Sequence, residues 1–238
     1  MSPDHPTQPL RALVLQHEQP TPGGYVLSWL EARGAVQDVY RIDVAQRDLD
    51  PRGYSMIVSL GSEFAAFDDS VPWLEREMRL LRDAVQADVP VLGICFGGQL
   101  LARVLGGRSF RGELSEIGWL PVRSQDDRLV PEGPWFQWHF DTFTPPPGSS
   151  VIADSPVGPQ AYTIGHSLGL QFHPEVTPEI MDSWVATYRH ELDQEGVDPD
   201  GLLEETNRRA DDSRQSAWRL FDGFLRDVAG IQEPVRGR

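Results

Sequence analysis

Lysine is missing altogether: all 21 basic residues among the 238 are arginine. That absence excludes a Schiff-base lysine, a pyridoxal-phosphate anchor and a Walker-A lysine. Cysteine occurs once, as Cys95. One cysteine excludes an internal disulfide, a cysteine-rich zinc site and an iron–sulfur cluster, and no cofactor is expected. Long apolar runs are missing too. No segment approaches the roughly 20 residues of a membrane span, and the start, Met1 to Pro9, is polar and proline-rich rather than an apolar signal region. Positive charge is scarce: 36 acidic against 21 basic residues give a formal net charge of −15. The excess argues against nucleic acid or an anionic membrane as partner and reads as a device for solubility. A cytoplasmic location, where a free thiol persists, is the expectation. What is present suffices for a full core: 39% of the residues are hydrophobic, and the length fits one large α/β domain or a domain with an appendage.

The chain is organised around Val89-Pro90-Val91-Leu92-Gly93-Ile94-Cys95-Phe96-Gly97-Gly98-Gln99. A short apolar run reads as a buried strand. The segment from Gln99 to Leu105 is helix-like and stops at Gly106-Gly107. The layout is strand, sharp turn, helix, with a nucleophile-type residue at the tip, as in the serine motif G-x-S-x-G. Side chains two residues either side of Cys95 would collide with the strand or the helix, which explains the glycines. The positive end of the following helix favours a thiolate. A lone cysteine is more often a buried structural residue. Flanking glycines at a strand-to-helix switch point instead to a nucleophile.

Leu10–Leu15, Val36–Ile42 and Tyr54–Leu60 read as further strands, and Tyr25–Ala32 and Val71–Ala87 as helices. Strands separated by helices imply a parallel sheet covered on both faces, with ligands beyond the carboxyl ends of the strands, where Gly61 and Cys95 lie. Between Ser109 and Gln171 the texture changes to short strands, expected around 118–122, 137–140, 151–153, 161–164 and 168–172. A helix is expected over Glu179–Glu191. After a polar break at Gly196–Gly201, Ala217, Leu220, Phe221, Phe224, Leu225 and Val228 recur at helical spacing. The expected division is one domain over residues 1–192 and a C-terminal helical extension over residues 193–238 that packs on it.

Gln171-Phe172-His173-Pro174-Glu175 closes a strand. Residues two apart in extended chain face one side, so His173 and Glu175 can converge on one point. An imidazole near a thiol takes its proton, and a carboxylate on the other ring nitrogen fixes the tautomer. With Gly93-Ile94-Cys95-Phe96-Gly97-Gly98-Gln99 about eighty residues earlier, this pair of motifs resembles the class I (triad) glutamine amidotransferases. Glu116-Ile117-Gly118-Trp119 and Trp138-His139-Phe140-Asp141 resemble segments in the amidotransferase domain of GMP synthetase and its stand-alone relatives. The resemblance covers roughly Leu10 to Tyr188. It is specific for the superfamily and not for the ammonia-accepting pathway.

The resemblance implies a flavodoxin-like three-layer α/β sandwich around a mostly parallel sheet. It also implies a Cys95–His173–Glu175 triad that cleaves the side-chain amide of glutamine through a γ-glutamyl thioester. By family position the backbone N–H groups of Gly61 and Phe96 form the oxyanion hole, and Gln99, His139 and Asp141 lie on the substrate side. His139 and Asp141 also have the spacing of metal ligands, but no third ligand lies nearby and no metal is expected. GMP synthetase-type relatives carry Gly-Gly-Pro at the oxyanion loop, where this sequence reads Leu60-Gly61-Ser62. The expectation is that the Gly61 peptide turns to the intermediate only when substrate or a partner arrives. No ATP-pyrophosphatase domain is recognisable, so the ammonia is expected to pass to a partner synthase. Two alternatives stay open: a γ-glutamyl peptidase or hydrolase acting on γ-glutamyl amides or peptides, and a non-catalytic regulatory subunit. Association with a second copy of the chain is also left open.

Overall fold

The computed structural model describes residues 9–232. The polar start lies outside these residues except for Pro9, as do residues 233–238 of the expected C-terminal extension. Among the described residues nine strands form one sheet in the order β2-β1-β3-β4-β9-β8-β7-β5-β6. Its first half is parallel: β1 (Arg11–Gln16) lies between β2 (Val36–Arg41) and β3 (Met56–Ser59), and β4 (Val91–Ile94) joins β3 to β9 (Ser167–Leu170). The second half, β5 (Arg108–Ser124), β6 (Gly133–Thr144), β7 (Ser150–Ser155) and β8 (Gly158–Ile164), is antiparallel. The sheet is therefore mixed, and the parallel half carries Cys95 and Gly61 at its carboxyl end.

Alternation along the strands builds three layers. Ala12 and Val14 of β1 pack toward α1 (Gly24–Ala32) and α6 (Pro199–Gly223), together with Trp29 and Phe221. Leu13 and Leu15 point the other way, toward α2 (Leu74–Gln86) and α3 (Phe96–Val104), with Leu81 and Leu101. A third cluster sets α4 (Pro178–Thr187) and α5 (Arg189–Glu195) against β6 through Phe136, Trp138, Trp184 and Tyr188. Among the described residues no helix is long and apolar enough to cross a membrane.

Three regions differ from the pattern expected above. β9 ends at Leu170, so Gln171–Glu175 forms the bend and turn after the strand rather than its close. Instead of short patches, β5 runs for 17 residues and pairs with the 12-residue β6, with a register irregularity between Arg111 and Glu116. Gly118 and Pro121 hide that continuity in the sequence, because neither residue favours a strand interior. The helix expected over 179–191 is two helices, broken at Tyr188 (φ −110°, ψ 23°). The C-terminal stripe is buried: Ala217, Leu220, Phe221 and Phe224 are fully covered by the sheet and α1, and α6 continues into a π-helical turn over Phe224–Val228.

Candidate active site

Cys95 sits between β4 and α3 with φ 49° and ψ −107°, one of two non-glycine residues at positive φ among those described. Such a backbone is strained and needs its surroundings to hold it. They do so through the Cys95 N–H, which donates to Leu170 O at 2.9 Å, and the Cys95 carbonyl, which accepts from the Gln99 N–H at 2.9 Å. The glycines are required by close approach. A Cβ on Gly97 would strike the Ser59 backbone, one on Gly98 the Leu170 backbone, and one on Gly93 the first turn of α3. The thiol is thereby set at the amino end of α3, in a cleft, and Cys95 as a whole is 6% exposed.

His173 lines the same cleft. Its N–H donates to Phe136 O at 2.8 Å, and its Nδ1 lies 2.7 Å from Glu175 Oε1. Both side chains are buried, and Trp184 packs edge-on to the imidazole with ring centroids 5.0 Å apart. Burial works against a charge on His173, but the charges of Glu175 and Cys95 outweigh it and the imidazole is pushed up to about 10. The Glu175 backbone is placed by the Tyr25 N–H, at the start of α1, which donates to its carbonyl at 2.9 Å, and Gly24 has no Cβ to block that approach.

Gly61 follows β3 and faces the pair. An added Cβ there would lie 2.9 Å from His173 Cε1 and 3.9 Å from Cys95 Cβ. Leu60 O accepts from the Gly97 N–H at 3.1 Å, so the trans-related Gly61 N–H points the opposite way, and it has no partner among the described residues. The Gly61 carbonyl is held by His17 Nδ1 at 3.0 Å. The carbonyls of both peptides flanking Gly61 are thus bonded. Phe96, the first residue of α3, has an N–H without an intrahelical acceptor.

Gln99, His139 and Asp141 also line the cleft, with Arg111, Trp138, Tyr188 and Glu191. Asp141 O is a shared acceptor: Gln99 Nε2 lies 3.0 Å from it and His139 Nδ1 also 3.0 Å. His139 Nε2 is 3.1 Å from Glu116 Oε2, which draws on the β5–β6 pairing of Glu116 with His139. Burial raises Asp141 above the usual carboxylate range, and Arg111, 3.4 Å away, opposes that shift. Gln171 is a contributor that sequence reasoning left without a role. Its Nε2 lies 3.8 Å from Cys95 Sγ, and its Oε1 accepts from Gln99 Nε2 at 3.3 Å. The signal was available, since Gln171, His173 and Glu175 share one period of two. Trp184 gave no signal, because nothing in a helical apolar stripe says which member will touch an imidazole.

The family model described as glutamine amidotransferase class-I matches residues 30–187. The chain belongs to the class-I glutamine amidotransferase family. Among its relatives, the glutamine-hydrolyzing GMP synthase of Aeropyrum pernix is 33% identical over 178 residues, covering 69% of this chain and 34% of that protein. The chain spans about a third of the length of that relative. A glutamine amidotransferase-like protein of Acanthamoeba polyphaga mimivirus is 27% identical over 174 residues, 72% of this chain and 80% of its own. Two amidotransferase crystal structures share the fold over nearly the whole chain. The one from Thermotoga maritima has TM-score 0.84 at 29% identity and covers 91% of this chain and 98% of its own. The one from Methylobacillus flagellatus has TM-score 0.84 at 26% identity, with 97% and 98% covered. As in the layout expected from the resemblance, this amidotransferase chain is a flavodoxin-like α/β sandwich. Cys95, His173 and Glu175 fall inside the residues matched to the family, and α6 falls outside them.

Proposed function

We propose that this chain is a thiol hydrolase of γ-glutamyl amides that works through a Cys95–His173–Glu175 triad. Cys95 Sγ attacks the side-chain amide carbon of glutamine, and His173 takes the thiol proton. When the C–N bond breaks, His173 returns that proton to the departing ammonia. Water then cleaves the thioester, giving glutamate and the free thiol. Glu175 orients His173 and stabilises its positive form. The N–H groups of Gly61 and Phe96 receive the charge on the tetrahedral oxygen, and Gln99, His139 and Asp141 hold the amino-acid end of the substrate. We further propose that the released ammonia serves a partner synthase, and that residues 1–192 form the amidotransferase-like domain with 193–238 as its extension.

One observation carries this reading. A strained cysteine at the tip of a strand–helix turn shares a cleft with a histidine whose Nδ1 lies 2.7 Å from a buried carboxylate. Family membership supports glutamine as the amide. A second observation favours a larger leaving group. Beyond His173 the cleft is continued by Trp184, Trp138 and Tyr188, each ring packed on the next, with Glu63 and Glu191 beside them. Such a wall would accommodate an amine bigger than ammonia, which suits a γ-glutamyl amide or peptide. Glutamate release by the purified chain, measured with L-glutamine and γ-glutamyl dipeptides in parallel, separates the two. Turnover of glutamine alone supports the glutaminase; faster release from dipeptides transfers the assignment to the second reading; release from neither removes both.

A further inference from the structure

Glu77 is out of character on α2. The other inward residues of that helix are Leu74, Leu80, Leu81 and Ala84, yet Glu77 is as fully buried as they are. A buried carboxylate is strongly destabilising unless it is partnered. Its partners are Ser59, whose Oγ donates to Oε1 at 2.7 Å, and His17, whose Nε2 is 2.9 Å from Oε2. His17 is itself fully buried, and its Nδ1 reaches the Gly61 carbonyl at 3.0 Å. Both ring nitrogens face acceptors, so with Glu77 ionised both donate and the ring is an imidazolium. Burial alone would lower the pKa of His17; the charges of Glu77 and Glu18, with the bonds to Glu77 and Gly61, outweigh it and leave it raised. Trp73 stacks on the imidazole at 5.0 Å between centroids, and Phe96 meets it edge-on at 4.7 Å. None of these residues contributes to the triad, and Phe96 is the second supplier of the oxyanion hole.

We infer that His17, anchored by Glu77 and Ser59, is the positioning residue of the oxyanion loop: it holds the Gly61 carbonyl so that the Gly61 N–H stays presented to the substrate oxygen. The inference rests on the hydrolase reading above and extends it to a residue that never touches substrate. Glycine has no Cβ to restrict its rotation, so the conformation of Gly61 must be enforced from outside. On one side the Gly97 N–H fixes the Leu60 carbonyl; on the other the His17 imidazolium fixes the Gly61 carbonyl. Turning the Gly61 N–H away rotates the Leu60–Gly61 peptide and breaks the Gly97 bond to the Leu60 carbonyl, and the charge-assisted bond from His17 to the Gly61 carbonyl resists the compensating movement of the following peptide. The loop is therefore set before substrate arrives.

The test uses the full chain and the variants His17→Leu, His17→Asn and Ser59→Ala. In steady state, His17→Leu should lower kcat about 10²-fold, as loss of an oxyanion donor does, with KM little changed. Alkylation of Cys95 by iodoacetamide should stay near the wild-type rate, because that reaction develops no oxyanion. His17→Asn, whose amide nitrogen can stand near the Nδ1 position, should recover much of the loss. Ser59→Ala should show the same pattern more weakly, and it serves if His17→Leu does not fold. A lower melting temperature with unchanged kcat would make His17 a core residue only and overturn the proposal, as would a parallel fall in alkylation and kcat. The Gly61 amide resonance reads the loop directly, whether or not glutamine proves to be the substrate. One sharp peak in the wild type that broadens or splits in His17→Leu supports the proposal, and an unchanged peak overturns it.

Discussion

Cys95 holds a backbone conformation, φ 49° and ψ −107°, that a side chain adopts only when its neighbours impose it. The strain is useful because it lifts the thiol clear of strand and helix at the amino end of α3. Cys95→Ala is expected to abolish both turnover and labelling by a glutamine-analogue electrophile, measured by intact mass. Among the proposed triad members, His173→Ala should slow single-turnover acylation by roughly 10²–10⁴-fold, and Glu175→Gln by less, since only orientation and charge support are lost. The same pair sets a pH dependence. His173 stands at about 10 in the fold against an ordinary value of 6.5. A folded pKa above the unfolded one means that the protonated ring contributes stability fully below about 6.5 and loses that contribution as pH rises through about 10. Glu175→Gln removes the main favourable charge, so the His173 resonance in a heteronuclear titration should move to lower pH, and the loss of melting temperature should begin earlier. A wild-type imidazole titrating near its ordinary value would contradict the geometry.

At the scale of elements, α3 shows how tightly the elbow is built. It lies against β3 and β9 so closely that Gly97 and Gly98 touch their backbones. Gly97→Ala should therefore yield insoluble or strongly destabilised protein by soluble yield and thermal melting, since neither backbone can give way. The last helix bears a different load. Phe221 and Phe224 are fully buried against β-strands of the parallel half and against Trp29. Phe221→Ala should cost about 3–5 kcal/mol by denaturant unfolding, and the double aspartate variant Phe221→Asp, Phe224→Asp should not fold stably. Unchanged melting in either case would mean that this helix is dispensable to the domain. Outside the apolar contacts, α6 is tied by Asp222, which accepts from Trp29 Nε1 at 2.8 Å and pairs with Arg33.

At the scale of the whole molecule, the fold gathers residues from Thr21 to Glu191 of this chain into one cleft. With the Gly61 loop already bonded on both sides, turnover per chain should not depend on association with a second copy. Specific activity is expected to stay constant over about a 100-fold dilution, whereas a dimer-completed site would lose activity by mass action. A fall on dilution would show that a second chain supplies part of the site. The net charge of −15 bears on a different property, the electrostatic repulsion between copies of the chain.

Local pattern carried much of this protein. Gly93-Ile94-Cys95-Phe96-Gly97 announces a strand–turn–helix because only glycines tolerate the backbone contacts that such a turn forces. The spacing of two between Gln171, His173 and Glu175 marks them as one group, although β9 ends at Leu170 and they lie in the bend and turn that follow it. The parallel half of the sheet follows from strands separated by helices, and the α6 stripe follows from a 3.6-residue period. Only the tertiary structure decided the rest, because the rest depends on residues distant in sequence. The antiparallel pairing of β5 with β6 joins Glu116 to His139 across a register irregularity that no local pattern encodes. Glu77 looks like an ordinary charge on an amphipathic helix until Ser59, 18 residues away, and His17, 60 residues away, are brought to it. Burial is what turns those three polar side chains into a fixed support for Gly61. It is a property of the packed molecule: water, which would otherwise satisfy each group separately, is excluded only once the layers have closed.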